Sequence, residues 1–174
     1  MRLRPGPGAS MKSDGARAGT LGRWFRSTSN RTFVAYPICV IAFEFVLQSA
    51  TLSTFAMLPW GMVLLAWGYL QYRLVGRYRL RLGGGGPGIS VPPERIVAEG
   101  PYRYVRNPMY LGHLIFILGL ALTFRSWLGL ALFAFHVVWF QRRVLEDEAH
   151  LQSLFGTPYG EYKARVKRWI PGIL

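Results

Sequence analysis

Glu99-Gly100-Pro101-Tyr102-Arg103-Tyr104-Val105-Arg106-Asn107-Pro108-Met109-Tyr110-Leu111-Gly112-His113 is a basic, aromatic loop that runs straight into an apolar helix. Asn107 is a good N-cap, and Pro108 suits the first helical position, where a missing N–H costs nothing. Residues 109–124 carry no charged side chain. A helix start, with its unpaired N–H groups and positive dipole end, is therefore set at a membrane edge beside Arg103 and Arg106. Such a place can hold an anionic group such as a carboxylate. The same residues also read as a plain interfacial anchor, because Arg and Tyr collect at headgroup level beside spanning helices. Both readings stand at this point.

Outward from this stretch, the chain is half apolar, yet 21 Lys and Arg face only 8 Asp and Glu, a net charge of +13 over 174 residues. An excess of this size points to nucleic acid or to an anionic membrane surface. The distribution decides between them. Apolar residues lie in long charge-poor runs and basic residues flank the runs, whereas a nucleic-acid module interleaves the two on soluble elements. The chain reads as an all-α integral membrane protein with no nucleic-acid partner.

Four apolar runs, residues 32–57, 60–75, 109–124 and 127–141, predict four transmembrane helices. Leu58-Pro59 turns the first run into the second. Only Arg125-Ser126 joins the third to the fourth, so these two form an antiparallel hairpin. Both are shorter than the ~20 residues of an ideal span. Gly112 and Gly119 in the third run, with Gly129 and Ala131 in the fourth, permit close approach. Residues 1–31 lack the apolar segment of a signal peptide and read as a disordered basic tail, with Met11 as an alternative start. The chain divides into this tail, a pair of helices at 32–82, and a core at 83–174 holding the loop, the hairpin and the C-terminal helices. Gly83-Gly84-Gly85-Gly86-Pro87-Gly88 is a linker and no phosphate loop, since the Gly-Lys-Ser/Thr ending is absent. Every Lys and Arg except Arg125 lies in the N-terminal tail, the central loop or the C-terminal tail. The positive-inside rule then places both termini in the cytoplasm.

Three residues inside the runs carry polar chemistry. Glu44 is a functional candidate at membrane depth, or else a polar residue facing a neighbouring helix. His136 has no second ligand at helical spacing and reads as a hydrogen-bonded packing residue. Cys39, the single cysteine, permits no intrachain disulfide and no Cys-based metal site, and no metal is expected.

Beyond residue 141 the helix continues into the cytoplasm, with Leu151, Leu154 and Phe155 on one stripe, and Gly156 and Pro158 end it. A second amphipathic helix follows, with Tyr159, Tyr162, Val166 and Trp169 on one face, and stops at Pro171. Glu146, Asp147 and Glu148 are three consecutive acids in a basic chain. They read either as a solvated run that neutralises neighbouring arginines or as half of a site with both signs. Such a site offers Arg and helix N–H groups to a carboxylate, a carboxylate to a cation, and tyrosines to a planar ring. S-adenosylmethionine has all three features, as do other zwitterions.

Gly100-Pro101-Tyr102-Arg103-Tyr104-Val105-Arg106-Asn107-Pro108-Met109-Tyr110-Leu111-Gly112 resembles the Arg-His-Pro-x-Tyr-x-Gly signature of the isoprenylcysteine carboxyl methyltransferase and phospholipid methyltransferase superfamily. Asp147-Glu148, Leu151, Phe155-Gly156, Tyr159, Tyr162, Val166 and Trp169-Ile170-Pro171 resemble its acidic pair and closing Phe-Gly…Tyr…Ile-Pro pattern. The likeness covers residues 92–171, in the family's order. It implies that Arg106, Pro108, Tyr110 and Gly112 help to form a cofactor pocket and that Glu148, beside Asp147, is its essential acid. Asn107 stands where the signature has His. Asn can hydrogen-bond a ligand but is no base near neutral pH. A mechanism through that imidazole is excluded, whereas activity is not.

On this likeness the expected cofactor is S-adenosylmethionine, held by Tyr102, Arg106, Asn107, Pro108, Tyr110, Gly112, His113, Asp147, Glu148 and Tyr159. Arg106 and the amides around Pro108–Tyr110 are assigned to its carboxylate, and Tyr102 or Tyr110 to its adenine. Glu148 takes the cationic side or orients an Arg, and Arg143 steers an anionic acceptor; these two form the expected catalytic pair. The acceptor is expected to be lipophilic, an isoprenylcysteine-type carboxylate, with a phospholipid amine as the alternative and a non-catalytic basic membrane scaffold as the reading from another class. The expected location is a bacterial inner membrane.

Overall fold

Apolar runs joined by very short connections leave the chain few choices, and the result is a small set of long helices. The computed structural model describes residues 22, 24–51, 57–85 and 92–170. Most of the expected N-terminal tail, including Met11, and Gly86-Pro87-Gly88 of the linker lie outside the described residues. Helix α1, Thr28–Ala50, starts before the apolar run does, because the Ser27 hydroxyl accepts from the Asn30 amide; it contains a π-helical turn at Arg31–Ala35. Helix α2, Pro59–Gly83, runs on through its arginines instead of ending at them. After a 3-10 turn at Gly100–Arg103 come α3, Pro108–Phe124, α4, Trp127–Phe155, and α5, Thr157–Arg165. Among the described residues there is no strand, only an isolated parallel bridge between Val105 and Lys167.

Helices α1 and α4 are long and apolar enough to cross a membrane, and only 11% and 22% of their apolar windows are buried. The core helix of a soluble protein would hide such a face. Here Phe45, Val46 and Phe135 stand more than half exposed, as do Trp60 and Trp67 on α2. An apolar surface this extensive needs lipid or a partner. Helix α3 differs. With 17 residues it is the shortest of the four apolar helices, twelve of its residues are buried, and it packs against α1, α2 and α4.

The glycines explain how α3 sits so deep. A Cβ on Gly68 of α2 would lie 2.5 Å from the Phe116 amide nitrogen, and one on Gly119 of α3 would lie 2.7 Å from that of Leu65. Gly61, Gly68, Gly112 and Gly119 thus form a seam between α2 and α3. This corrects the expectation that Gly112 and Gly119 serve the α3–α4 contact. Only Gly129 does so, against Ala121, while Ala131 is exposed. At the far end of α3, Arg125 takes a left-handed conformation (φ 51°), and the Ser126 hydroxyl caps α4 by accepting from the Gly129 amide. Gly156, at φ 59°, ends α4 and lets the chain turn into α5.

Helix α5 stops at Arg165, short of the expected end at Pro171. Val166 is extended (φ −110°, ψ 131°), and the chain then runs alongside the loop before α3.

Candidate active site

Backbone pairing brings the two motif blocks together. The Arg106 amide donates to the Lys167 carbonyl at 2.9 Å, and the Tyr162 hydroxyl donates to the Tyr102 carbonyl at 2.8 Å. The Arg106 guanidinium then spans three segments. Its Nε and Nη2 reach Glu148 at 3.1 and 3.4 Å, and its Nη1 donates to the carbonyls of Lys163 and Val166 at 2.8 and 2.7 Å. Lys163 lies in the last turn of α5 and Val166 just beyond it, so Arg106 takes up carbonyls at the point where the helix ends. Arg168 approaches Glu148 from the other side, Nε at 3.1 Å and Nη2 at 2.9 Å. Glu148, 3% exposed, is gripped by two guanidiniums. Burial alone would raise its pKa, but hydrogen bonding to Arg168 and the charges of both arginines overcome this and hold the carboxyl below its ordinary value of 4.5.

Asn107 precedes α3 without a side-chain cap bond. Its amide instead turns toward α4, with Nδ2 3.4 Å from Glu148 Oε1. Further along α4, Asp147 accepts from the Tyr110 hydroxyl at 2.5 Å and pairs with Arg143, one turn earlier, at 3.3 Å. The acidic triplet is therefore divided. Glu148 faces the motif loop, Asp147 faces Tyr110, and Glu146 is exposed.

Between α2, the loop and α4 lies a cavity of about 360 Å³. Tyr102, Arg106, Asn107, Tyr110, Arg143 and Asp147, all expected at the site, line it. An adjoining recess of about 60 Å³ reaches Glu148, Tyr159 and Tyr162. Pro108, Gly112 and His113 do not line either space. The Pro108 carbonyl accepts from Gln71 of α2 at 2.9 Å, and Gly112 sits in the glycine seam. His113 is fully buried, donates from Nδ1 to the Met109 carbonyl, and packs in tilted and edge-on ring contacts among Phe33, Tyr72 and Phe140. Arg103 is exposed. His136 packs as a hydrogen-bonded residue, accepting from the Tyr36 hydroxyl at 3.1 Å while Nδ1 donates to the Leu132 carbonyl.

Several lining residues escape sequence reasoning. Arg79 of α2 borders both the cavity and the recess, and Pro93, Met109 and His150 also line the larger space, beside Glu146 of the acidic triplet. Helical spacing offers a signal for Glu146 and His150, which flank Arg143 and Asp147 on the same stretch of α4. Arg79 has none, being one of four arginines within nine residues.

Residues 56–158 match the phospholipid methyltransferase family profile. The chain belongs to the phospholipid methyltransferase family. Among curated relatives, this family member is 37% identical over 78 residues to protein-S-isoprenylcysteine O-methyltransferase of Schizosaccharomyces pombe, covering 44% of this chain and 33% of that protein. It is 35% identical over 80 residues to protein-S-isoprenylcysteine O-methyltransferase B of Arabidopsis thaliana, 45% of this chain and 40% of the other. An uncharacterized protein of Haemophilus influenzae is 35% identical over 65 residues, 36% of this chain and the whole of that one. The matched segment thus spans well under half the length of the named relatives. No solved structure matches the chain.

Proposed function

We propose that this chain is a membrane-embedded, S-adenosylmethionine-dependent methyltransferase that esterifies a lipophilic carboxylate of the isoprenylcysteine type. The observation that supports it most is the Arg106–Glu148–Arg168 clamp, which ties the loop before α3 to the segment after α5 and so walls a cavity. The volume of about 360 Å³ falls within the ~300–1,000 Å³ of small-molecule sites. Its walls suit the donor: guanidiniums for a carboxylate, Asp147 and Glu146 for a cation, Tyr102 and Tyr110 for a planar ring. The acceptor class follows the names of the relatives. In this reading α1 to α4 span a bacterial inner membrane, α3 and α4 as a hairpin, with both termini and the cavity on the cytoplasmic side.

A bound S-adenosylmethionine would supply an electrophilic methyl group on a sulfonium. This chain supplies placement. In-line displacement from a sulfonium loses charge as the new bond forms, so alignment and exclusion of water contribute much of the rate. Glu148 positions Arg106 and Arg168 and keeps the wall closed. Tyr110 holds the Asp147 carboxylate, and Arg143 beside it meets an anionic acceptor. A carboxylate is already deprotonated near neutral pH and needs no base, which suits Asn107 and two acids already paired with arginines.

Membership of the phospholipid methyltransferase family favours a second reading, methylation of a phospholipid amine. An amine acceptor must lose a proton, and neither Asp147 nor Glu148 is an unpaired base. The full chain, purified in detergent, is incubated with tritium-methyl S-adenosylmethionine and either S-farnesylcysteine or phosphatidylethanolamine vesicles. Alkali-labile label on the cysteine conjugate is expected. Alkali-stable label on the lipid supports the amine reading. No label on either acceptor, with no cofactor binding, leaves a non-catalytic scaffold.

A further inference from the structure

We propose that Arg31 of α1 and Trp139 of α4 form a binding site for the phosphate of an anionic phospholipid, in the crevice where these two helices face each other. The inference requires α1 and α4 to lie in a bilayer, but it does not depend on the methyl-donor reading of the cavity.

It begins with the π turn at Arg31–Ala35. The Tyr36 amide donates to the Arg31 carbonyl, five residues back, so these two residues stack along the helix. In a regular α-helix five residues would turn Arg31 about 140° away from Tyr36. Here both face α4. The Tyr36 hydroxyl donates to His136 at 3.1 Å, and the Arg31 guanidinium lies over the Trp139 ring, 5.3 Å from its centroid. The turn has a local cost. Thr32 is fully buried and its hydroxyl has no hydrogen-bond partner, whereas the equally buried Thr123 donates to the carbonyl four residues back at 2.7 Å. Such a cost persists where the surroundings require the geometry, and π turns often mark functional positions.

The end of the Arg31 fork is open. A cation–π contact uses the face of the guanidinium and leaves the N–H groups of its edge to hydrogen-bond. Nε is buried without a partner, and Nη2 makes one contact, with the Thr28 hydroxyl at 3.5 Å. No ion pair among the described residues involves Arg31. Glu44 lies about 20 Å further along α1. The acids of α4 begin at Glu146, two turns beyond Trp139, and there Asp147 pairs with Arg143 and Glu148 with Arg106 and Arg168. Arg26 and Arg142, both exposed, add positive charge at this end of the bundle. An arginine that merely anchors a helix turns its head to water. This one is half-buried and laid flat on an indole at the edge of two apolar runs.

Apolar walls lead down from it. Ala35, Cys39 and Phe43 follow Arg31 at intervals of four on α1, and Phe135 and Ala131 precede Trp139 at the same interval on α4. Cys39, Phe43, Phe135 and Ala131 are exposed, and the Phe135 ring stacks on Trp139 with 14° between their planes. The floor of the crevice is closed by Tyr36 on His136 and, deeper, by Val40 packed with Leu128 and Leu132. A cationic head above two apolar rows matches a phospholipid, with its phosphate on the Nη groups and an acyl chain against Phe135. A soluble phosphate would use the head alone.

The test is native mass spectrometry of the full chain in detergent, titrated with phosphatidylglycerol and, separately, with phosphatidylcholine. Phosphatidylglycerol is expected to bind the more tightly, and Arg31→Gln to weaken it roughly tenfold. Trp139→Leu, which removes the stacking platform, is expected to weaken it roughly fivefold. Arg26→Gln takes an exposed charge from the same end and is expected to leave the affinity unchanged. Should Arg31→Gln not fold, Arg31→Lys keeps the charge without the fork and is expected to bind several-fold more weakly than wild type. Equal effects of substitution at Arg31 and Arg26 would make Arg31 part of a diffuse basic surface and overturn the inference. So would equal binding of the two lipids by the wild type. Displacement of phosphatidylglycerol by excess glycerol 3-phosphate would assign the site to a soluble phosphate and overturn the lipid.

Discussion

Replacing Glu148 by Ala should release the C-terminal segment. The Glu148 carboxylate accepts five hydrogen bonds, two from Arg106, two from Arg168 and one from Asn107. Its side chain is 4% exposed, that of Arg106 10% and that of Arg168 26%. Removing one member of a buried ion pair leaves the other desolvated and costs about 3–5 kcal/mol. Arg168 can turn to water, so the lower figure, about 3 kcal/mol, applies. At about 1.4 kcal/mol per decade this is roughly a hundredfold. The loss falls on a local opening, because residues 166–169 are held by the clamp, the Val105 bridge and the Trp169–Gln141 hydrogen bond of 2.7 Å. When opening and closing are fast, proteolysis tracks the open population. Limited trypsinolysis in detergent, read by mass spectrometry, should show cleavage after Arg165 and Lys167 about a hundredfold faster in Glu148→Ala, with other sites unchanged. Arg168→Ala should accelerate it far less, since Arg106 still neutralises the acid. Wild-type cleavage rates in Glu148→Ala would refute the clamp.

Because the Glu148 pKa is depressed on folding, its contribution is present above the ordinary value of 4.5 and is lost as pH falls through the lower, folded value. Thermal unfolding in detergent should show a fall in Tm below pH 4.5 that is diminished in Glu148→Gln; identical profiles would contradict the assignment. Gly68→Ala should lower Tm by several degrees, since the new Cβ meets Phe116 backbone at 2.5 Å and overpacking costs about 1–3 kcal/mol. An unchanged Tm would mean that α2 and α3 are not locked at that point. Reporter fusions at Arg125 and after Leu174 should report opposite sides of the membrane, and the same side for both would defeat the four-span topology.

The features of this fold that depend on short-range spacing are open to sequence reasoning. The passage of α4 beyond residue 141 is readable because its apolar stripe persists to Phe155 before Gly156 interrupts it. What depends on a distant neighbour is hidden. α5 ends early where Arg106, 57 residues before Lys163, captures the Lys163 carbonyl. The Asn107 amide turns to Glu148, 41 residues away, and leaves the cap without it. Gly112 and Gly119 suit any close helix contact, and nothing local to α3 says that α2 is the partner. In the site, charge order points to Arg106 and Glu148, whereas Arg79 is masked by its neighbours. Two residues along a helix is a rotation of about 200°, so Arg77 and Arg81 point away while Arg79 turns inward, and only the packing of α2 says which way inward is.

Calorimetric titration of the detergent-purified full chain with S-adenosylhomocysteine tests the central claim most directly. The account predicts saturable binding of one molecule per chain, strongly weakened by Glu148→Gln and by Arg106→Ala, which open the wall of the cavity. Absence of binding to the wild type, or equal affinity in both variants and the wild type, would contradict it.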